Sequence, residues 1–149
     1  MPLTAHEDCL LVVIDVQPGF YPDDLPDRPA ALEALSRAAW LTQLAARLDV
    51  PVVVTEEQPE RNGPTGIELA PGTPVLTKPT FGLAGTPEIV QAVCDTGRDT
   101  AVLVGFETDV CVYQSAVGLG ELGRMEAGLR VDHDQHAVVM GGQRHRRQA

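Results

Sequence analysis

Short, continuous apolar runs alternate with helix-forming segments along most of the chain, and this alternation restricts the fold more than any other feature. The runs CLLVVID, VPVVVT and TAVLVGF are rich in β-branched residues, which is typical of strands covered on both faces. The predicted strands are residues 9–15, 50–55, 75–77 and 100–106. The predicted helices are residues 30–48 and 87–97, with another that opens at Val110. This order specifies a three-layer α/β fold, in which a parallel, doubly wound sheet lies between two helix layers.

The first helix is assigned from its amphipathic pattern. Apolar residues recur at helical spacing, namely Leu32, Leu35, Ala39, Leu44 and Leu48. Trp40 on this helix is expected in the core or in a subunit contact. Residues 56–74 form a long loop rich in proline and glycine, and loops of that length are usually functional or mobile.

The chain divides into one predicted domain and an atypical tail. At 149 residues it is long enough for a single domain with its own core, predicted over residues 1–123. Residues 124–149 have no convincing period and cluster arginine and histidine. Within them LRV (129–131) and AVVM (137–140) are candidates for short strands, but neither is followed by a helix. An irregular or disordered tail, a product of an altered reading frame and a fold that is incomplete at this end all remain open.

Charge and hydropathy argue against several classes of partner. The formal charge of −10 disfavours nucleic acid and anionic membranes, which bind extended basic surfaces. No apolar run approaches the ~20 residues that a membrane span needs, and the first residues, MPLTAHEDCLL, lack the pattern of a secretory signal. Three scattered cysteines are too few for a disulfide framework, so a reducing cytoplasm is the expected compartment.

Three polar residues stand at the carboxyl ends of predicted strands. Asp15 ends VVID, Lys78 follows VLT, and Cys111 follows the turn after AVLVGF. Because the carboxyl ends of parallel strands lie along one edge of the sheet, a carboxylate, an ammonium and a thiol are expected to converge there. Lys78 is also the only lysine in the chain, against ten arginines.

This set of groups predicts acyl transfer through a thioester. A helix N-terminus and a neighbouring ammonium favour the thiolate of Cys111, which is the nucleophilic form. Asp15 would take the thiol proton and return it to the leaving group, while backbone amides hold the oxyanion. Each residue alone has an ordinary alternative: a core cysteine, a helix-capping aspartate or a solvated lysine. Cys9 and Cys94 keep the core interpretation, because each lies inside an apolar run and not next to a charged residue at a strand end.

The segments LLVVIDVQPGF, TKPTFG and GFETDVCVYQSA resemble, in this order and spacing, the isochorismatase-like cysteine hydrolase superfamily over residues 8–122. The resemblance implies a six-stranded parallel sheet and a catalytic triad of Asp15, Lys78 and Cys111. Members of the superfamily continue after the cysteine helix into another strand and a closing helix, which the tail of this chain does not resemble. They often form dimers or larger assemblies, so a homo-oligomer is expected.

The resemblance also sets expectations for the turn before the cysteine. It implies a cis peptide bond between Phe106 and Glu107, which would aim the N–H groups of Glu107 and Cys111 into an oxyanion hole. Phe20 and Phe81, each close in sequence to a candidate catalytic residue, are expected to wall the substrate pocket.

The histidine pattern argues against a metal. Nicotinamidases of the superfamily carry an Asp-x-His pair and further histidines after the second strand, whereas TEEQPERNGPTG here contains none. All four histidines lie near the termini: His6, His133, His136 and His145. HDQH with His145 is the one metal-binding alternative, and a solvated tail is favoured over it. Neither a metal nor a cofactor is therefore expected, and the chain resembles the metal-free branch.

The predicted function is cysteine-dependent hydrolysis of a small amide or related C–N bond, with a small-molecule substrate that the sequence does not identify. Two alternatives remain open. One is a catalytically impaired relic or interaction protein of the same fold with a divergent C-terminus. The other is a thiol redox protein, which the absence of a C-x-x-C pair disfavours.

Overall fold

The computed structural model describes residues 5–121, 126–131 and 138–143. The helices are α1 (Arg28–Arg47), α2 (Pro59–Asn62), α3 (Pro87–Asp95) and α4 (Tyr113–Glu121). The strands are β1 (Cys9–Ile14), β2 (Val52–Glu57), β3 (Val75–Lys78), β4 (Thr100–Gly105), β5 (Glu126–Val131) and β6 (Val138–Gln143). Short 3₁₀ turns cover His6–Asp8, Pro18–Phe20 and Leu83–Gly85, and a π-helical turn covers Thr108–Val112. Within these described residues, no helix is both long and apolar enough to cross a membrane.

Strands β1 to β4 form a parallel sheet in the order β3-β2-β1-β4. Leu11 of β1 pairs with Val52 on one side and with Val102 on the other, so β1 is an interior strand. The strand order reverses direction at β1, which is the switch point where ligands bind in sheets of this kind. The predicted three-layer α/β fold with a parallel, doubly wound sheet is confirmed.

The last two strands extend the sheet beyond β4 in the order β4-β6-β5, and β6 runs antiparallel to both neighbours. This differs from the six parallel strands that the resemblance implied. A parallel pair needs a crossover of about a dozen residues or more, whereas only residues 132–137 separate β5 from β6. The strands coincide with the two strand candidates of the tail, and the domain boundary at residue 123 stays a prediction.

Both faces of β1 are buried, as its continuous apolar run predicts. Leu10, Val12 and Ile14 pack with residues of α3 and α4 in what we call the α3–α4 cluster. Leu11 and Val13 pack with residues of α1 in the second, or α1, cluster. Each such side chain contributes about 1.5–3 kcal/mol when fully buried. Because helix layers cover both faces of the sheet, polar groups are accommodated at the ends of its strands.

Helix α1 forms where the pattern predicts it, and the centre of its buried face consists of small residues. The buried residues are Ala31, Ala34, Ala38, Thr42 and Ala45. Leu32 and Leu48 are 40% exposed, whereas Leu35 is half-buried and packs against the α1 cluster, so only part of the predicted apolar face is buried. Trp40 is 59% exposed, which excludes its predicted core role and leaves subunit contact as a prediction.

Candidate active site

Asp15, Lys78 and Cys111 meet at the carboxyl edge of the parallel sheet. Asp15 follows β1, Lys78 is the last residue of β3, and Cys111 lies in the π-helical turn between β4 and α4. Three segments that are far apart in sequence thus deliver one group each to the same place, as their positions at strand ends predict.

The carboxylate and the ammonium form a fully buried ion pair. Lys78 Nζ lies 2.6 Å from Asp15 Oδ2, and both residues are 0% exposed. Each charge has a second partner, since the Thr55 hydroxyl donates to Asp15 Oδ1 at 2.9 Å and Lys78 Nζ donates to the Thr80 carbonyl at 3.0 Å. Removal of one member of such a pair leaves an uncompensated buried charge and typically costs ~3–5 kcal/mol. The two residues are therefore a single structural unit.

An unusual backbone conformation directs the Asp15 side chain. Ile14 packs in the α3–α4 cluster, so simple alternation along β1 would point the next side chain toward α1. Asp15 instead has a φ of 53°, in the left-handed region that aspartate adopts more readily than most residues. Its carboxylate consequently receives hydrogen bonds from Thr55 and from Cys111, which lies in the α3–α4 cluster.

Cys111 is a protonated thiol in the free protein. Its side chain is 2% exposed and is hydrogen-bonded to the Asp15 carboxyl. Burial raises the pKa of the thiol to about 12, the charge and hydrogen bond of Asp15 add to the rise, and Lys78 opposes it. Lys78 favours the thiolate, as expected, but desolvation of the anion and the charge of Asp15 outweigh it. The effect of the helix terminus stays a prediction.

Asp15 is a stronger base than an ordinary aspartate. Burial raises the pKa of its carboxyl, while the charge of Lys78 and hydrogen bonds from Lys78, Cys111 and Thr55 lower it less than burial raises it. A raised carboxyl pKa lies closer to the pKa of the thiol that the carboxyl faces. The smaller difference between the two pKa values makes proton transfer between the groups easier. The arrangement suits a nucleophile that loses its proton only as it attacks.

The turn before Cys111 reverses the chain without the expected cis bond. The Phe106–Glu107 peptide is trans, and no peptide bond in the described residues is cis. Glu107 instead adopts a left-handed conformation with φ 58° and ψ 66°. A cis bond before a residue other than proline costs about 2.5–4 kcal/mol, and the left-handed residue achieves the change of direction at lower cost. The oxyanion roles of the Glu107 and Cys111 amides stay predictions.

The two phenylalanines occupy different surroundings. Phe20 ends a 3₁₀ turn and packs, half-buried, against the α1 cluster. Phe81 follows β3 and is 52% exposed. Their role as walls of a substrate pocket stays a prediction.

Sequence reasoning missed a polar network beside the triad. Gln17 is fully buried, its Nε2 donates to the Glu57 carbonyl at 3.2 Å, and its Oε1 accepts from the Glu57 N–H at 2.7 Å. These bonds attach the end of β2 to the loop that follows Asp15. The position of Glu57 at a strand end was the available signal, since the same signal identified Asp15 and Lys78.

The described residues contain no group of three or more histidine, cysteine, aspartate or glutamate side chains arranged to hold a metal. The candidate histidines His133, His136 and His145 lie outside the described residues. The metal-free interpretation stays a prediction.

Comparison with known proteins identifies the family. The sequence model of the isochorismatase domain matches residues 9–125, which is most of the chain. The chain belongs to the isochorismatase family. Isochorismatase domain-containing protein 2 of Rattus norvegicus is 33% identical over 128 residues, which cover 84% of this chain and 55% of that protein. The chain spans about half the length of the curated relatives that it matches.

Solved structures of isochorismatase-like proteins share the fold. The YcaC gene product of Escherichia coli, described as an octameric hydrolase of unknown specificity, has a TM-score of 0.69 and 25% identity, over 83% of this chain and 63% of that one. The MAR1 ribonuclease of Caenorhabditis elegans has a TM-score of 0.66 and 28% identity, over 80% of this chain and 61% of that one. The family and its structures support an enzyme of hydrolase type.

Proposed function

We propose that this isochorismatase-family chain hydrolyses a small amide or related C–N bond through a thioester on Cys111. The observation that carries the proposal is the buried Asp15–Lys78 ion pair, with Nζ and Oδ2 2.6 Å apart, hydrogen-bonded to the Cys111 thiol. A buried thiol beside a carboxylate of raised pKa is what nucleophilic catalysis with a coupled base requires.

In the first half-reaction, Cys111 sulfur attacks the substrate carbonyl while Asp15 takes the thiol proton. The N–H groups of Glu107 and Cys111 hold the oxyanion of the tetrahedral intermediate. Asp15 then gives its proton to the departing nitrogen, the C–N bond breaks, and an amine or ammonia leaves behind a thioester.

In the second half-reaction, water attacks the thioester and Asp15 takes a proton from it. The C–S bond breaks, the acid leaves, and Asp15 returns the proton to the sulfur. Lys78 stays charged throughout and compensates the negative charge of the site. Overall, one water is consumed for each C–N bond broken, and no oxidant or cofactor takes part.

A screen of small amides, ureides and carbamoyl compounds for amine or ammonia release tests this proposal. For any substrate found, Cys111→Ala is expected to abolish turnover without loss of the folded state in circular dichroism. Cys9→Ala is the matched control, because the Cys9 thiol lies away from the triad and bonds the Ala5 carbonyl. Turnover that survives in Cys111→Ala would refute the nucleophile assignment.

The MAR1 similarity favours one second candidate, ribonuclease activity. The charge of −10 opposes binding to a polyanion, so the same preparation is expected to leave RNA intact. We also propose a homo-oligomer, supported by the octameric YcaC neighbour, and action in a reducing cytoplasm, where Cys111 stays reduced.

A further inference from the structure

A second buried carboxylate lies on the same face of the sheet as the triad. Glu57 is the last residue of β2, is only 8% exposed, and pairs with Lys78 in the β2–β3 ladder. Side chains two positions apart on a strand share a face. Val53 of β2 packs in the α3–α4 cluster and Thr55 bonds Asp15, so Glu57 continues that row toward the carboxyl edge.

The neighbours of Glu57 hold it in place and leave one of its oxygens unused. Gln17 accepts a hydrogen bond from the Glu57 N–H and donates one to the Glu57 carbonyl. Asn62 Nδ2 donates to Glu57 Oε2 at 2.5 Å. Among the described residues, none donates a hydrogen bond to Oε1 and none forms an ion pair with this carboxylate. Asn62 satisfies Oε2, and Oε1 is the acceptor of this carboxylate that the described residues leave available. A donor supplied from outside the chain would complete this site.

The charge of Glu57 reaches the nucleophile. It adds to the rise in the pKa of the Cys111 thiol, after burial and the effects of Asp15. At the sulfur, the charge of Asp15 has a larger effect than the opposing charge of Lys78. Glu57 therefore adds to a negative potential at the sulfur, within a chain whose total charge of −10 also attracts cations.

We propose that Glu57 selects the substrate of this site by accepting a hydrogen bond from a cationic or N–H-rich group on it, such as an ammonium, an amidinium or a terminal ureide. This inference rests on the proposed function, since the group must lie next to the carbonyl that Cys111 attacks. Compounds that carry a carboxylate in place of this cationic or N–H-rich group are disfavoured as substrates. Glu57 takes no part in proton transfer and acts through recognition.

Three thiol reagents of similar size and different charge test the potential at Cys111 directly. Methanethiosulfonates that carry an ethylammonium, a hydroxyethyl or an ethylsulfonate group each form a mixed disulfide with the thiol. Trypsin separates the three cysteines, because Arg98 and Arg124 bound a peptide of which Cys111 is the only cysteine. Rates at Cys111 come from mass spectrometry of that peptide, each divided by the rate of the same reagent with N-acetylcysteine.

In the native chain, the cationic reagent is expected to modify Cys111 at least about tenfold faster than the anionic one, the size of effect that a charge beside the sulfur in a medium of low dielectric produces. Glu57→Gln keeps the shape and removes the charge, so this preference is expected to fall to less than about threefold. Glu60→Gln is the matched control, since it removes one exposed carboxylate from α2 and should leave the preference unchanged. For an identified substrate, Glu57→Gln is expected to raise KM with little change in kcat.

Equal reactivity of the cationic and anionic reagents at Cys111 in the native chain would overturn the inference, even if Glu57→Gln proved too unstable to study. A preference that persists unchanged in a folded Glu57→Gln protein would overturn it as well. Both results leave the proposed hydrolase intact, because the sulfur still reacts. No modification of Cys111 by any of the three reagents would contradict the inference and the proposed function together, because neither then has an accessible nucleophile.

Discussion

Burial has more effect than neighbouring charge on the chemistry of single residues in this site. The thiol of Cys111 has a raised pKa although Lys78 lies within electrostatic reach, because the anion would lose its hydration. The carboxyl of Asp15 has a raised pKa for the same reason, despite its ion pair with Lys78. The resting site therefore keeps its proton on sulfur.

Asp15→Asn tests this balance. The amide lacks the charge that adds to the thiol pKa, so the pKa of Cys111 is expected to fall below its native value of about 12. Turnover should nevertheless fall by about 10²–10⁴-fold, because the base is gone. The rate of Cys111 alkylation by iodoacetamide against pH measures the first effect: in the native chain it should still rise with pH beyond pH 10, and in the variant it should level off earlier.

Asp109→Asn is the control for that experiment. Asp109 is exposed and lies two residues from the cysteine. Its replacement by asparagine removes one negative charge, as Asp15→Asn does, but from a side chain that does not contact the thiol. If Asp15→Asn left the alkylation profile of Cys111 unmoved, the hydrogen bond between the two side chains would have to be abandoned.

Single residues at strand ends could be predicted from the sequence, whereas their cross-chain partners could not. Asp15, Lys78 and Cys111 follow apolar runs, and parallel topology brings such ends together. The bond between Gln17 and Glu57 joins positions 40 residues apart, and no local pattern specifies it. The trans peptide bond before Glu107 could not be predicted from a local pattern either, because the packing of the turn determines how the chain changes direction.

At the level of elements, the site depends on the close approach of β4 to β1. A Cβ added at Gly105 would lie 2.1 Å from the Ile14 carbonyl oxygen, immediately before Asp15. Glycine here lets the two central strands pair up to the point where their polar ends begin. The apolar runs predicted these strands. They did not predict where small residues are needed at the contacts between elements, as in α1 and β4.

Gly105→Ala is expected to destabilise the protein by about 2 kcal/mol or more, as overpacked cores do. Gly72→Ala is the control for backbone strain alone. Gly72 has a φ of +82°, and a Cβ added there would have nothing within 4 Å to collide with. That control should lose only about 1 kcal/mol. Urea denaturation of both variants measures the difference, and equal losses would show that the β1–β4 contact relaxes freely around a methyl group.

For the whole molecule, strands β5 and β6 protect the sheet as much as they extend it. β6 pairs with β4 from Thr100 to Leu103, so it occupies hydrogen-bonding groups that would otherwise form an open edge. The sequence indicated strand candidates here, but no local pattern specified how they pair. Tertiary pairing, rather than local periodicity, determines this part of the fold.

A chain that ends at residue 123 would lack both strands. Its β4 edge would be unpaired, so the fragment is expected to aggregate or to unfold without a sharp transition. The full chain is expected to elute as a defined species. Size-exclusion chromatography and thermal circular dichroism distinguish the two results. A monodisperse, cooperatively folded fragment would show that residues 1–123 are a complete domain without help from β5 and β6.

The burial of Lys78 also has a practical consequence for the intact protein. It is the only lysine in the chain and is 0% exposed. An amine-specific acylating reagent thus meets no side-chain amine until the carboxyl edge of the sheet opens, and every acylated Lys78 marks a molecule whose site has come apart. The residue that neutralises Asp15 is at the same time an internal reporter of the integrity of the candidate site.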